Sequence, residues 1–449
     1  MNNKKLTLIA CAFLLLSLVG YYFYLDYQVT EATKAIGQAI SRWGERVKKE
    51  KAEAQAKAIE KEKAEAQRKS AAAAFFHKHD HRCRIDIDDY RRSKNRPGTV
   101  IAIDRQKLAA PDPKVQKVIN EITVEEITPL LRQLSGEDDF TPEGGKPVTI
   151  KTRSSYDPGV MVAMQFAEQF CKRESLSCKR WEYKEDGGRR ARKMYNLEIT
   201  IPGKVKTGPE KVLFIGAHLD STAGEPWGQE SLAPGADDDG SGVVAALLSA
   251  RALSKLDLPY TVRVLLFTGE EQGLYGSTRY FETVGQDMKA GKLEAIAMLQ
   301  MDMIAYTPNK GSTRIDVHDA ADRNGSHVLA VAMVENAQRY GINRKPKDTH
   351  SSDWDERSDH KEALNQGIRS LLTSEEFTDE SFYPYYHTTE DTIEKLNLEQ
   401  MRDVARLHVA VVEDLMKREL AAHSKVRHFA IRKIKPVAIR KFRHAARAH

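Results

Sequence analysis

Hydrophobic residues follow three different rhythms along this chain. From Leu6 to Leu25 they form a run of twenty residues without a charge, a length that suits one bilayer crossing. Residues 28–76 then turn to Ala, Lys, Glu and Gln, and KEKAEAQAKAIE (49–60) is partly repeated by KEKAEAQRK (61–69). These are strong helix formers with Glu and Lys at pairing distances, too polar for a coiled-coil seam. They read as a solvated helical stalk, with a disordered linker as the alternative. Beyond Asp112, short apolar runs alternate with longer stretches of helical spacing. NLEITI (196–201), VLFIGA (212–217), Val262–Phe267, AIAMLQMDMIAY (295–306), TRIDVHD (313–319) and Arg369–Thr373 read as strands. Helices are expected over VQKVINEITVEEITPLLRQLS (115–135), with Pro129 as a bend or boundary, and after the turn at the start of Ser154–Cys171. VVAALLSARALSKL (243–256), HVLAVAMVENAQRYG (327–341) and Leu398–Leu420 read the same way. Such alternation predicts an α/β domain with a largely parallel sheet. The expected organisation is a membrane span over 1–27, a stalk over 28–76, a linker over 77–111, the globular domain over 112–422 and a basic tail over 423–449.

Charge refines the two ends. Lys4 and Lys5 precede the first apolar run, and Asp26 and Glu31 follow it. The positive-inside bias therefore puts the N-terminus in the cytoplasm and the rest in the periplasm or outside the cell. A cleaved signal peptide is the rival, although no small-x-small site closes the run and Tyr21-Tyr22-Phe23-Tyr24 looks like an interfacial belt. Leu8-Ile9-Ala10-Cys11 also resembles a lipoprotein cleavage box. The formal net charge is +6, yet the segment from Lys425 to His449 holds nine Lys/Arg and no acid, which leaves −3 elsewhere. Basicity is thus a property of the tail, which suits an anionic membrane surface or a solubilising end. No nucleic-acid partner is expected. Four cysteines are too few for a disulfide-built scaffold. Cys171 and Cys178 would lie about 10 Å apart on one continuous helix, but could close a small loop if that helix ends near Ser175. His77, His79 and His81 alternate without a second ligand cluster nearby and read as a solvated hinge.

The chemistry concentrates where apolar runs end. VLFIGA leads into His218-Leu219-Asp220. A Gly/Pro/Ser-rich loop follows, then Asp237, Asp238 and Asp239, and Gly240-Ser241-Gly242 opens the next helix. One carboxylate there would suit the helix dipole as a cap; three, with a His-x-Asp before them, exceed that need. Glu270-Glu271 follows the strand ending at Phe267, and Asp302 ends another. Ligands of open α/β sheets gather outside the carboxyl ends of parallel strands, so these groups can converge, with His387 of YPYYHTTEDT as a further imidazole. Imidazole plus carboxylates without a thiol suit zinc or another borderline metal in a hydrolytic site.

HLDS, PGADDDGSG, GEEQGLYGS, MDM and YHTTEDT, in this order, resemble the secreted di-zinc aminopeptidases of metallopeptidase family 28, over roughly Ile122 to Glu419. The resemblance implies a three-layer α-β-α domain of the phosphorylase/hydrolase-like kind and removal of N-terminal residues from peptides or proteins. It implies two Zn2+ ions sharing Asp238, one also held by His218 and Asp302, the other by Glu271 and His387. Glu270 matches the general base, and Asp220 matches the carboxylate that orients His218. A strained peptide after Asp238 is also implied. Glutaminyl cyclases share this fold and most ligands, so N-terminal cyclisation is the enzymatic alternative. They typically carry a Trp before the last His, where this chain has Tyr386. A catalytically inactive receptor or scaffold domain on the same fold is the non-enzymatic alternative, but such domains usually lose ligands, and all five are present here.

Ser358-Asp359-His360 reads as a helix cap opening into HKEALNQ, and no G-x-S-x-G elbow exists. Relatives can hold a Tyr near the position of Asp355, in an acidic stretch (350–362) that borders the substrate cleft in the family. The carboxylate here is expected to attract the substrate's ammonium or a basic first side chain, so that Lys or Arg would be favoured over Leu; an acidic surface loop with no role is the alternative.

Overall fold

A computed structural model describes residues 101, 108–185, 192–309, 311–349, 357–377 and 381–445, with side chains of the last helix described to His423. The chain divides into two compact units, Met1–Arg91 and Arg92–His449, and every described residue lies in the second. The expected span, stalk and most of the linker fall outside the described residues, as do His350 and Asp355. No helix among the described residues is long and apolar enough to cross a membrane.

In chain order the strands are β1 (Ser177–Glu185), β2 (Arg192–Ile201), β3 (Glu210–His218), β4 (Thr261–Phe267), β5 (Leu293–Met301), β6 (Arg314–His318), β7 (Lys345–Asp348) and β8 (Ser370–Ser374). They form one eight-stranded sheet in the order β1-β2-β4-β3-β5-β8-β6-β7. The central strands β4, β3, β5 and β8 are parallel neighbours. The flanks are mixed: β1–β2, β2–β4 and β6–β8 pair antiparallel, while β6–β7 is parallel. The sheet is therefore mixed rather than largely parallel. Strand type in sequence does not disclose direction, because an apolar run buries its faces equally well either way.

Alternation along the inner strands divides the core in two. Leu213, Ile215 and Ala217 of β3 and Val262, Val264 and Leu266 of β4 join one cluster; Val212, Phe214, Leu265 and Phe267 join the other. The first face is covered by α1 (Pro113–Asn120), α2 (Val124–Leu134), α3 (Gly159–Arg173), α4 (Gly240–Ser254), α6 (His327–Arg339) and α8 (Leu398–Ala445); the second by α5 (Tyr275–Lys289) and α7 (His360–Asn365). Residues Gly240 to Leu253 of α4 are all buried, as an apolar surface all round the helix requires.

Three local outcomes differ from expectation. The stretch 115–135 is two helices, and the break falls not at Pro129 but at 121–123, where Thr123 Oγ1 caps α2 by accepting from the Glu126 amide (3.4 Å). The two edge strands β1 and β7 were not foreseen: SCKRWEYKE and KPKD are polar, and much of each is exposed or half-buried. The final helix continues past Leu420 to Ala445, through the stretch expected as a separate tail. α3 stops at Arg173, Ser175 turns the chain with a positive φ of 56°, and Cys171 and Cys178 are disulfide-bonded with their Cα atoms 6.2 Å apart.

Candidate active site

The register of the parallel strands brings their carboxyl ends to one edge. His218 pairs with Phe267 across β3–β4, and Gly216 with Gln300 across β3–β5. His218 is buried at the end of β3. Its Nδ1 faces the Asp220 carbonyl at 3.1 Å, which leaves Nε2 to point at Asp238 Oδ1 (3.1 Å) and Asp302 Oδ1 (3.6 Å).

Each of the three consecutive aspartates has its own task. Asp239 caps α4: Oδ1 accepts from the Gly242 amide (2.9 Å), while Oδ2 accepts from the His218 amide (3.0 Å). A Cβ at Gly242 would collide with that carboxylate and with the Met301 carbonyl, so the close approach of α4 to β5 requires glycine here. Asp237 Oδ1 accepts from the Ala305 amide (2.9 Å), tying the loop to the chain beyond β5. The middle carboxylate is the one left for the site. Asp238 stands between two imidazoles, with His218 Nε2 at 3.1 Å from Oδ1 and His387 Nε2 at 3.2 Å from Oδ2. The peptide between Asp238 and Asp239 is cis.

Glu270 and Glu271 follow β4 on a turn that Gly269 enters with φ 74°. The Glu270 carbonyl accepts from the amides of Gly273 and Leu274 (2.8 and 2.9 Å), which leads into α5. The Asp220 carboxylate underpins this turn. Oδ2 accepts from Ser155 Oγ (3.0 Å) and the Gly269 amide (3.1 Å), and the amides of Glu270 and Glu271 lie 3.4 Å from its two oxygens. The same carboxylate is 3.8 Å from His218 Nδ1. Asp220 thus holds the imidazole chiefly through its carbonyl and the glutamate pair through its side chain, a division that the His-x-Asp pattern did not show.

His387 completes the site from the loop before α8. It adopts a positive φ of 54°, stacks on Tyr386 with ring centroids 3.7 Å apart, and places Nε2 3.0 Å from Glu271 Oε2. Burial opposes charge on His387, but Asp238 and Glu271 beside it lift its pKa to about 10. Burial, then the Asp238 charge, push Glu271 up to about 7. Burial also holds the Glu270 carboxyl well above its usual range, despite the opposing effect of His218. Glu271 Oε1 is buried without a hydrogen-bond donor, and the imidazoles are what Asp238 faces. Two imidazoles and several buried carboxylates form a donor set that fits divalent cations. His218, Asp238, Glu270, Glu271, Asp302 and His387 all line one cleft, with Met303, Leu372, Phe377, Phe382, Tyr386 and Arg357 as its further walls.

Other residues serve this edge without having been foreseen. Arg153 is fully buried, and its guanidinium donates to the carbonyls of Leu219 (2.8 Å), Leu134 (3.3 Å), Gly235 (2.8 Å) and Pro234. Nothing in the local sequence KTRSS (151–155) marks it, since its partners are carbonyls far away in the chain. Asp359 occupies the cap position of α7 but makes no capping bond. Its buried carboxylate instead accepts from Gln300 Nε2 (3.3 Å), and burial raises its pKa to about 8. His318 is buried away from the cleft, between Ser374 Oγ (3.0 Å) and Thr349 Oγ1 (2.8 Å).

Residues 196–412 match the profile of Peptidase family M28. A probable leucine aminopeptidase of Trichophyton verrucosum (strain HKI 0517) is 31% identical over 227 residues, 49% of this chain and 57% of that protein. Leucine aminopeptidase 1 of Metarhizium robertsii is 30% identical over 242 residues, 50% of this chain and 55% of that protein. The chain thus spans little more than half the length of these relatives. The fold is shared with the Legionella pneumophila LapA aminopeptidase, at a TM-score of 0.52 and 22% identity over 71% of this chain and 76% of that one. It is shared equally with Fimbriiglobus ruber glutaminyl cyclase, at 0.52 and 16% over 70% and 99%. The segment 196–412, which carries every ligand-type residue of the cleft, is the part of the chain that is similar to Peptidase family M28.

Proposed function

We propose that this protein is a zinc-dependent aminopeptidase that hydrolyses the first peptide bond of peptides or proteins. The observation that carries the reading is the position of Asp238, with His218 on one of its oxygens and His387 on the other. His218, Asp238 and Asp302 would hold one ion, and Asp238, Glu271 and His387 the second. Zinc at these positions supplies a water of lowered pKa and polarises the scissile carbonyl. Glu270 is the general base: it takes the proton of the attacking water and returns it to the leaving amine. Burial raises its pKa, which strengthens its hold on the transferred proton, and Asp220 fixes the turn on which it sits. The apolar walls Met303, Leu372, Phe377 and Phe382 would receive an apolar first side chain. The two relatives described above bear the name leucine aminopeptidase, one of them as probable, in keeping with that reading.

Attachment of the chain to a membrane through residues 6–25, with the domain outside the cytoplasm, is part of the same proposal. The disulfide between Cys171 and Cys178 supports an oxidising compartment, and the basic end of α8 is complementary to an anionic membrane surface.

Cyclisation of N-terminal Gln is the second reaction compatible with this fold, given the cyclase that shares it. One experiment separates them: incubation with aminoacyl amides and Gln-initiated peptides, with and without a chelator, followed by mass spectrometry. Metal-dependent release of the first residue supports the aminopeptidase. Loss of ammonia from Gln peptides with no release of residues overturns it.

A further inference from the structure

We infer that Asp391 is a positioning residue that locks the Asp238 segment to the loop carrying His387. This inference rests on the metal-dependent reading above. Asp391 stands four residues after His387, in YHTTEDT, and is 2% exposed. Its carboxylate is divided between two successive amides: Oδ1 accepts from Asp237 N at 2.9 Å and Oδ2 from Asp238 N at 3.1 Å. Its main-chain carbonyl accepts from Ala236 N at 3.1 Å. One residue therefore holds three consecutive amides of the loop before α4. Tyr383, from the same segment as His387, donates its hydroxyl to Asp391 Oδ1 at 2.8 Å.

The arrangement has a chemical consequence. Asp238 has to present one oxygen toward His218 and the other toward His387. Its carboxylate is contacted by those two imidazoles, so its aim depends on its backbone. Arg153 fixes the carbonyls of Pro234 and Gly235 just before; Asp391 fixes the amides that follow. Because Asp391 and His387 share one short loop, the clamp also sets the separation of Asp238 and His387. Asp391 touches no reacting atom and acts through Asp238. Groups that orient metal ligands in this way typically change metal affinity by about 10–100-fold when removed.

The test is Asp391→Asn in the full chain. Asparagine keeps one acceptor oxygen and turns an NH2 group toward the second amide. Metal-stripped protein is titrated with Co2+ while visible absorption is followed, and kcat and KM are measured after loading. Expected are a loss of about 10–100-fold in affinity for one Co2+ equivalent, an altered Co2+ absorption band, and a fall in kcat larger than any rise in KM. Tyr383→Phe leaves both amide bonds and should shift the same readouts less. Asp414→Asn is the control for mere destabilisation. Asp414 pairs with Arg339 (3.0 Å) and Asn336 (3.1 Å), away from this loop, so it should lower the melting temperature with Co2+ binding unchanged. A folded Asp391→Asn protein with parental Co2+ affinity, spectrum and kcat overturns the inference. If that variant does not fold, parental values in Tyr383→Phe overturn it. A parent chain that binds no Co2+ overturns the metal reading itself, which distinguishes the two failures.

Discussion

Asp220 Oδ2 lies 3.1 Å from the Gly269 amide nitrogen, one residue before the glutamate pair. The side chain that a His-x-Asp motif would assign to the imidazole is thus spent largely on the turn after β4. His218 Nδ1 is held by the Asp220 carbonyl at 3.1 Å, a bond that no substitution of the side chain removes. Replacing Asp220 with Ala should therefore lower kcat/KM by about 10–100-fold, and should do so mainly through Glu270. Zinc affinity is expected to change little, whereas the acid limb of the pH profile of kcat/KM should move. Zinc titration beside that pH profile checks this. A large loss of zinc with an unmoved acid limb would return the carboxylate to the imidazole.

Glu270 lines the cleft but lies outside the ligand set assigned to either ion. Glu270→Gln keeps the shape but removes the carboxylate that accepts and returns the proton. Turnover should fall by about 10²–10⁴-fold, with metal content unchanged by elemental analysis. Parallel loss of metal and activity would make Glu270 a ligand instead.

Four of the five ligand-type residues were legible in sequence because they follow an apolar strand or precede a helix, and the parallel register of β3, β4 and β5 gathers those ends; His387 lies on a loop, and only the YHTTEDT motif marked it. The supports were less so. Asp391 and Asp359 stand next to recognisable motifs, yet their partners, the Asp237 and Asp238 amides and Gln300, are contacts made across the fold. Arg153 bonds four carbonyls, and carbonyls leave no trace in residue identity. β1 escaped notice for an energetic reason. It is held by its ladder with β2 and by the disulfide at Cys178, and of its nine residues only Tyr183 and Glu185 are buried.

His327 gives the domain a pH-sensitive anchor away from the cleft. Its Nδ1 lies 2.9 Å from Asp319 Oδ2 and 3.1 Å from Asp348 Oδ2, both buried carboxylates, while its amide donates to Asp322 Oδ1 (2.9 Å). Hydrogen bonds to Asp319 and then Asp348 outweigh burial and raise the pKa from 6.5 to about 10. A raised histidine pKa stabilises the fold fully below the unfolded value and loses that contribution as pH rises through the folded one. The urea midpoint of the parent should accordingly decline between pH 7 and 10. His327→Gln should start lower at pH 7 and converge with the parent near pH 10. Parallel midpoint curves for the two proteins would remove the role assigned to this ion pair.

The choice of first residue rests on opposing features of the cleft rim. Its described walls include Met303, Leu372, Phe377 and Phe382, with Arg357 as a cationic group. Burying a Leu side chain is worth about 1.5–3 kcal/mol, so Leu, Met and Phe amides should exceed Gly amide by about 10–100-fold in kcat/KM. Asp355, which the sequence places two residues before Arg357, lies outside the described residues, and we propose that its carboxylate attracts a basic first side chain. Lys and Arg amides should then fall below Leu but not to the Gly level. Asp355→Asn should lower their rates alone, and more at low salt than at high salt, where a screened surface pair contributes only about 0–1 kcal/mol. Rates for Leu, Lys, Arg and Gly amides at two ionic strengths decide both points. If Lys or Arg outruns Leu, the apolar walls do not set the preference; if Asp355→Asn leaves every ratio unchanged, its carboxylate takes no part in reading the first residue.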